Sequence, residues 1–326
     1  LPRVIDLLSD IYTHSIFKEE DIAQEKGAIV GEINMYEDIP MRKVGDLFMK
    51  LVYGDQPAGW EIAGPKELVT SFTREDFLAY RKVHYVPSAT LVVVSGKFDP
   101  VKILAQIKKE FGGIAPAKKK GKVKVKEVQT APQVALEYKE SDQTHLIVGV
   151  RAFPLRHRLH YPLALLSGVL GVGMSSRLFQ KVRTEMGLGY YVRSSHETFS
   201  DHGILSASAG VVNERAVEAV AAIVEQFKRL TTELVTDEEL LKAKDMFSGR
   251  LLLGLESSDE VGEFYGGQEI QHEPLETPEE VIKKIRAVTP KEIREAAKRV
   301  FQNDRLNLAL IGPWKDDAGF VKVLKF

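Results

Sequence analysis

Cysteine is absent from all 326 residues. That excludes a disulfide framework and thiolate metal ligands, so any metal must be held by His and carboxylate. Net charge is nearly absent as well: 45 Lys and Arg stand against 46 Asp and Glu, a formal charge of −1, and nothing in that balance points to nucleic acid. No uninterrupted apolar run approaches the roughly 20 residues of a membrane span. The chain also lacks an initiator Met and a signal-like segment. It opens on Leu1-Pro2, runs at once into the amphipathic VIDLLSDIY, and so reads as cut at the front, leaving the cytoplasm only a default location. What is present is ample core, 44% hydrophobic residues in a chain long enough for two domains.

Lys18 to Asp38 (KEEDIAQEKGAIVGEINMYED) reads as a helix, with Glu19, Glu20 and Asp21 in its first turn and Pro40 just beyond its end. Glu25 and Glu32 stand seven residues apart. That spacing puts both carboxylates on one face, two turns apart, with Ala28 and Ile29 between them, on a face expected to be half buried. A buried carboxylate needs a cation, a metal or a donor. Spacing alone is equally met by ordinary helix-surface acids.

Further along, Met41 to about Tyr53 shows helical periodicity, and GDQPAG is a turn-rich loop. Thr73 reads as the N-cap of TREDFLAYRKVHY, and Ala89 to Ser95 (ATLVVVS) has the continuous apolar character of a buried strand. VKILAQIKKEF is a further helix. The stretch from Gly112 to Lys126, with six lysines in KKKGKVKVK, reads as a solvated connector rather than a polyanion site. The second half brings the strand-like VALEY and THLIVGVRAF, the helix YPLALLSGVL, strands over Gly189 to Phe199 and Gly203 to Ala209, and helices from about Asn213 and from Thr236. Hairpin-connected strands and grouped helices give an α+β pattern.

The halves repeat one another. Thr73 to Gly96 lies on Thr289 to Gly312 without a gap, matching helix cap, apolar positions, strand and final Gly, and VGDLF at Val44 to Phe48 lies on VGEFY at Val261 to Tyr265. Carried at the same spacing, a second copy that starts near Gln133 puts the start of the first roughly 80 residues before Leu1. Glu25 then falls on Lys242 and Glu32 on Gly249, so the second copy keeps the helix and drops both acids, as expected when one copy alone carries a site.

The succession EKGAIVGEINMYEDIP, YGDQPAG, REDFLAYRKVHYVPSATLVVVSG and GMSSRLFQKVRTEMGLGYYV closely resembles the M16 metallopeptidases, the pitrilysin, insulinase and mitochondrial-processing-peptidase-like proteins, over nearly the whole chain. The resemblance implies two homologous α+β domains, each an antiparallel sheet packed on helices, closing around a chamber in which zinc-bound water cleaves peptides. The expected division is 1–114 for the incomplete zinc-site domain, 115–132 for the linker and 133–326 for the C-terminal domain. It further implies that Glu32 is the third protein ligand of zinc and that Glu25 orients a histidine ligand. Arg183 and Tyr190, in RTEMGLGY, are implied to position substrate. Implied partners are a peptide or unfolded polypeptide, the missing N-terminal segment or a partner M16 chain, with oligomers expected.

The family's HxxEH motif is not in this sequence. None of His14, His84, His145, His157, His160, His196, His202 and His272 has another His four residues away with a Glu before it. Family spacing would put the motif about 40 to 45 residues ahead of Leu1. A non-catalytic M16 scaffold or partner subunit is the competing expectation. Gly171 and Gly173 read as a tight turn, His84 as a structural hydrogen-bonding residue beside Tyr85, and RHRLH at His157 and His160 as loop.

Overall fold

The computed structural model describes residues 1–326. The helices of the first third are α1 (Pro2–Thr13), α2 (Glu19–Asp38), α3 (Pro40–Tyr53), α4 (Lys66–Ser71), α5 (Arg74–His84) and α6 (Pro100–Phe111). Strands β1 (Gln133–Tyr138) and β2 (Gln143–Ala152) follow, then α7 (His160–Gly171), β3 (Gly189–Thr198), β4 (Gly203–Val212) and α8 (Ala216–Thr232). The chain ends with α9 (Asp237–Leu253), α10 (Ser258–Ile270), α11 (Pro278–Ala287), α12 (Pro290–Val300), β5 (Leu306–Gly312) and α13 (Ala318–Val323). No helix is long and apolar enough to cross a membrane.

These elements form two compact units, each assembled from separated segments. The first takes Leu1–Asn34, Ala63–Val123 and Gly254–Glu276; the second takes Met35–Ile62, Lys124–Leu253 and Thr277–Phe326. The repeated VGDLF and VGEFY helices are thereby exchanged: α3, from the first half of the sequence, belongs to the second unit, and α10, from the second half, belongs to the first.

The second unit is a five-stranded sheet in the order β1-β5-β2-β4-β3, parallel only between β1 and β5. Alternation along the strands decides what covers each face. Leu146, Val148 and Val150 of β2 point into a core with Leu163, Leu166 and Leu170 of α7, Ile223 and Phe227 of α8, and Ile293 and Val300 of α12. The opposite face of β2, β4 and β5 carries Ile147, Ile204, Ala309 and Ile311, which pack on Val44, Phe48 and Val52 of α3. Strand β5 therefore has apolar residues on both faces and is buried throughout.

The first unit is helical. Its counterpart to β5, the apolar Ala89 to Ser95, forms no strand, and Leu91, Val92 and Val93 are exposed, which corrects the buried-strand expectation. An apolar run becomes a strand only when a neighbouring backbone takes up its N–H and C=O groups, and no segment pairs with this one. One side is covered by α10: a Cβ on Gly266 would come within 2.9 Å of Val93 Cγ2. The same contrast holds for α1. Val4, Leu7, Leu8 and Ile11 are exposed, whereas Val220, Ile223, Val224 and Phe227, at the same repeat spacing in α8, are in the core.

Candidate functional site

Helix α2 begins on its acidic turn, as its dipole favours, and buries only Ile22 and Ile33. Glu25 and Glu32 share a face, but both are exposed, as is Ala28 between them. The half-buried face expected from the sequence is therefore wrong. The covered stripe runs through Ile22, half-buried Ile29 and Ile33, and both carboxylates lie about 70° around the helix from it. Solvated carboxylates need no cation to offset burial, so their environment does not by itself demand a metal. No three His, Asp or Glu residues come together anywhere in a group able to hold a metal ion.

Arg183 lies on a π-helical turn, Phe179–Glu185, of the kind that recurs at functional sites. Its guanidinium sits over the Phe179 ring, 5.0 Å from the centroid. Tyr190 is the extra residue of a β-bulge: Gly189 pairs with Val211 and Tyr191 with Gly210, so Tyr190 has no partner in the ladder and is 63% exposed. A bulge re-aims a side chain in this way. Both residues belong to the second unit, whereas Glu25 and Glu32 belong to the first.

Tyr191 and His145 were not singled out by sequence reasoning. The Tyr191 phenol and His145 Nδ1 are 3.0 Å apart, across Gly210 of β4, where a Cβ would come within 2.4 Å of the Tyr191 ring. Glycine is required there by that approach. Burial pushes the Tyr191 phenol up to about 12 and holds His145 below the usual imidazole value. The YY doublet was the available signal, since successive strand residues face opposite ways, but the bulge decides which tyrosine is which.

His84, His157 and His160 make packing and capping contacts. His84 stacks on Tyr80 at 4.2 Å rather than hydrogen-bonding beside Tyr85. His157 stacks on Phe153 at 4.0 Å and accepts the Leu159 N–H, while His160 is the first residue of α7 rather than loop. Gly173, at φ 86°, makes the expected turn. Lys242, at the position of Glu25 in the repeat, is engaged by Glu238 at 2.7 Å.

Residues 71–247 match the model of the peptidase M16 inactive domain. An uncharacterized zinc protease of Bacillus subtilis, YmxG, is 32% identical over 309 residues, spanning 95% of this chain and 75% of its own length. This chain belongs to the M16 peptidase family. An uncharacterized zinc protease of Rickettsia felis is 31% identical and spans 98% of the M16 chain and 76% of its own. Among solved structures, a protease from Helicobacter pylori superposes with a TM-score of 0.89 at 20% identity, covering 96% of this chain and 76% of the other. An M16 inactive domain from Pseudomonas fluorescens gives 0.87 at 18% identity, covering 95% and 74%. The two structural likenesses establish the M16 fold; the sequence relatives establish the family.

Proposed function

We propose that this chain is the greater part of a zinc-dependent peptidase that hydrolyses peptides within a two-domain chamber. Glu32 would supply one zinc ligand and Glu25 would orient a histidine ligand. The observation that carries this reading is the pair itself: two solvent-facing carboxylates two turns apart on α2, with Lys242 and Gly249 in their places in the repeat. The zinc-protease names of the relatives agree with it.

The donor set of this chain is not a complete zinc site, because no third donor joins the two carboxylates. The histidines would come from an HxxEH-bearing segment or partner chain, and no hydrolytic step is assigned to the present residues alone. Zinc, when bound, supplies a water whose pKa is lowered to about 7. Arg183 and Tyr190, exposed and rich in donors, would bind the scissile carbonyl and the charge that develops on it. Substrate would lie extended along a sheet edge.

The test is zinc content together with cleavage of a quenched peptide, for this chain alone and mixed with an HxxEH-bearing M16 segment. Both should appear in the mixture. Glu32→Gln should remove zinc, and Glu25→Gln should lower zinc affinity or activity by about 10- to 100-fold. A second reading, a non-catalytic M16 scaffold or partner subunit, is compatible with the inactive-domain description of the matched family. It prevails if the mixture binds no zinc and cleaves nothing.

A further inference from the structure

The face of the second unit's sheet that receives α3 is covered only in part. Strand β3 alternates cleanly: Val192 and Ser194 are buried on the α7 side, where Ser194 Oγ lies 2.9 Å from Ser167 Oγ, while Tyr191, Arg193 and Ser195 face the other way. Opposite them on β4 are Gly210, Ser208 and Ser206. The result is an open stripe of hydroxyls, with Ser195 and Ser206 3.2 Å apart and the Tyr191 phenol held by His145.

Arg193 is the one cation in this stripe. Its Nε donates to Ser208 Oγ at 3.2 Å, which tethers the exposed guanidinium and leaves its two terminal nitrogens available to a ligand. No carboxylate pairs with it; the acid on its own strand face, Glu197, is two pleats further on, about 13 Å along the strand. A tethered guanidinium with a free fork matches a carboxylate in two parallel hydrogen bonds, and Tyr191 stands one pleat away on the same strand face, its phenol held by His145.

We propose that Tyr191, Arg193 and the flanking serines form a subsite for an Asp or Glu side chain of an extended polypeptide. Charge complementarity names the acid, and β3, an edge strand of the sheet, offers an extended chain a backbone to lie along. The assignment rests on the peptidase reading above and adds to it a preference for acidic residues in the bound segment.

The experiment uses this chain and fluorescence anisotropy with a labelled, C-terminally amidated extended peptide carrying Asp, its Asn isostere, and the Asn peptide with a free C-terminus. The Asp peptide should bind about tenfold more tightly than its isostere, and less so as salt rises. Arg193→Gln should bring the two within about twofold while leaving the circular dichroism spectrum unchanged, and Arg193→Lys should keep part of the difference. Equal binding of the Asp and Asn peptides overturns the proposal. So does binding of neither, a preference that needs only the free terminus, or displacement by inorganic phosphate as effective as by the Asp peptide. An Asp preference with no zinc-dependent cleavage in the mixture with an HxxEH-bearing segment would sink the peptidase reading and leave the subsite; cleavage in that mixture without the preference would do the reverse.

Discussion

On β3, His196 sets burial against charge. Its ring lies 6.2 Å from that of His160 and 6.5 Å from Phe247, and His160 Nδ1 has no partner. Burial pushes His196 down to about 4, with the neighbouring His160 adding to the effect. Against about 6.5 in the unfolded chain, this means that the unfolded state takes the proton first. The stabilising contribution is full above about pH 6.5 and is lost as the pH falls toward 4, on the order of 3 kcal/mol in all. Urea unfolding across that window should show the loss, and His196→Phe should reduce it, leaving the part due to His145, His157 and His160, which burial also holds down; an unchanged slope in the variant would place the titration elsewhere. Elsewhere at this scale the sequence was legible in periodicity and not in environment. Seven-residue spacing put Glu25 and Glu32 on one face, but it could not show that the face buried is the one through Ile22 and Ile33. Likewise RTEMGLGY carried Arg183 and Tyr190, while the bulge that turns Tyr190 outward and Tyr191 onto His145 comes from pairing with β4.

Helix caps were the most legible elements. Thr73 and Thr289 both close capping boxes, with Asp76 and Glu292, at matching positions of the repeat. Thr289→Ala should cost about 1 kcal/mol in chemical unfolding, because α12 packs Ile293, Ala296, Ala297 and Val300 into the core and cannot fray without loosening it. The cap of α5, a helix with no buried residue, should matter less. A less legible element contact is that between the segment before the π-helical turn and α9, where Arg177 donates to both Glu239 oxygens at 2.7 and 2.9 Å. Burial raises Glu239, but its hydrogen bonds to Arg177 and Thr236 outweigh this and hold the carboxyl below its usual range. Breaking the pair with Arg177→Ala should cost about 2 to 3 kcal/mol, measured as a shift in the urea midpoint at constant slope. Neither partner is near the other in sequence, so no spacing rule could have paired them.

At the scale of the molecule, exposed apolar surface has a consequence for solution behaviour. The α1 stripe of Val4, Leu7, Leu8 and Ile11, together with the exposed, unpaired apolar run Leu91 to Val93, should drive self-association. Sedimentation should show concentration-dependent oligomers that Leu7→Lys with Ile11→Lys shifts toward monomer; unchanged sedimentation would remove α1 from the interface. The α+β pattern, the repeated segments and the confinement of the Glu25 and Glu32 pair to one of them were all determined by the sequence, because caps, hydrophobic periods and repeat spacing are local properties that survive without knowledge of contacts. Tertiary structure alone decided that the repeated helices α3 and α10 exchange units, that β5 is a buried strand while the equally apolar Ala89 to Ser95 is not, and that Arg193 stands tethered and unpaired. The physical reason is common to all three: burial, strand pairing and charge compensation each depend on what another, distant segment brings alongside.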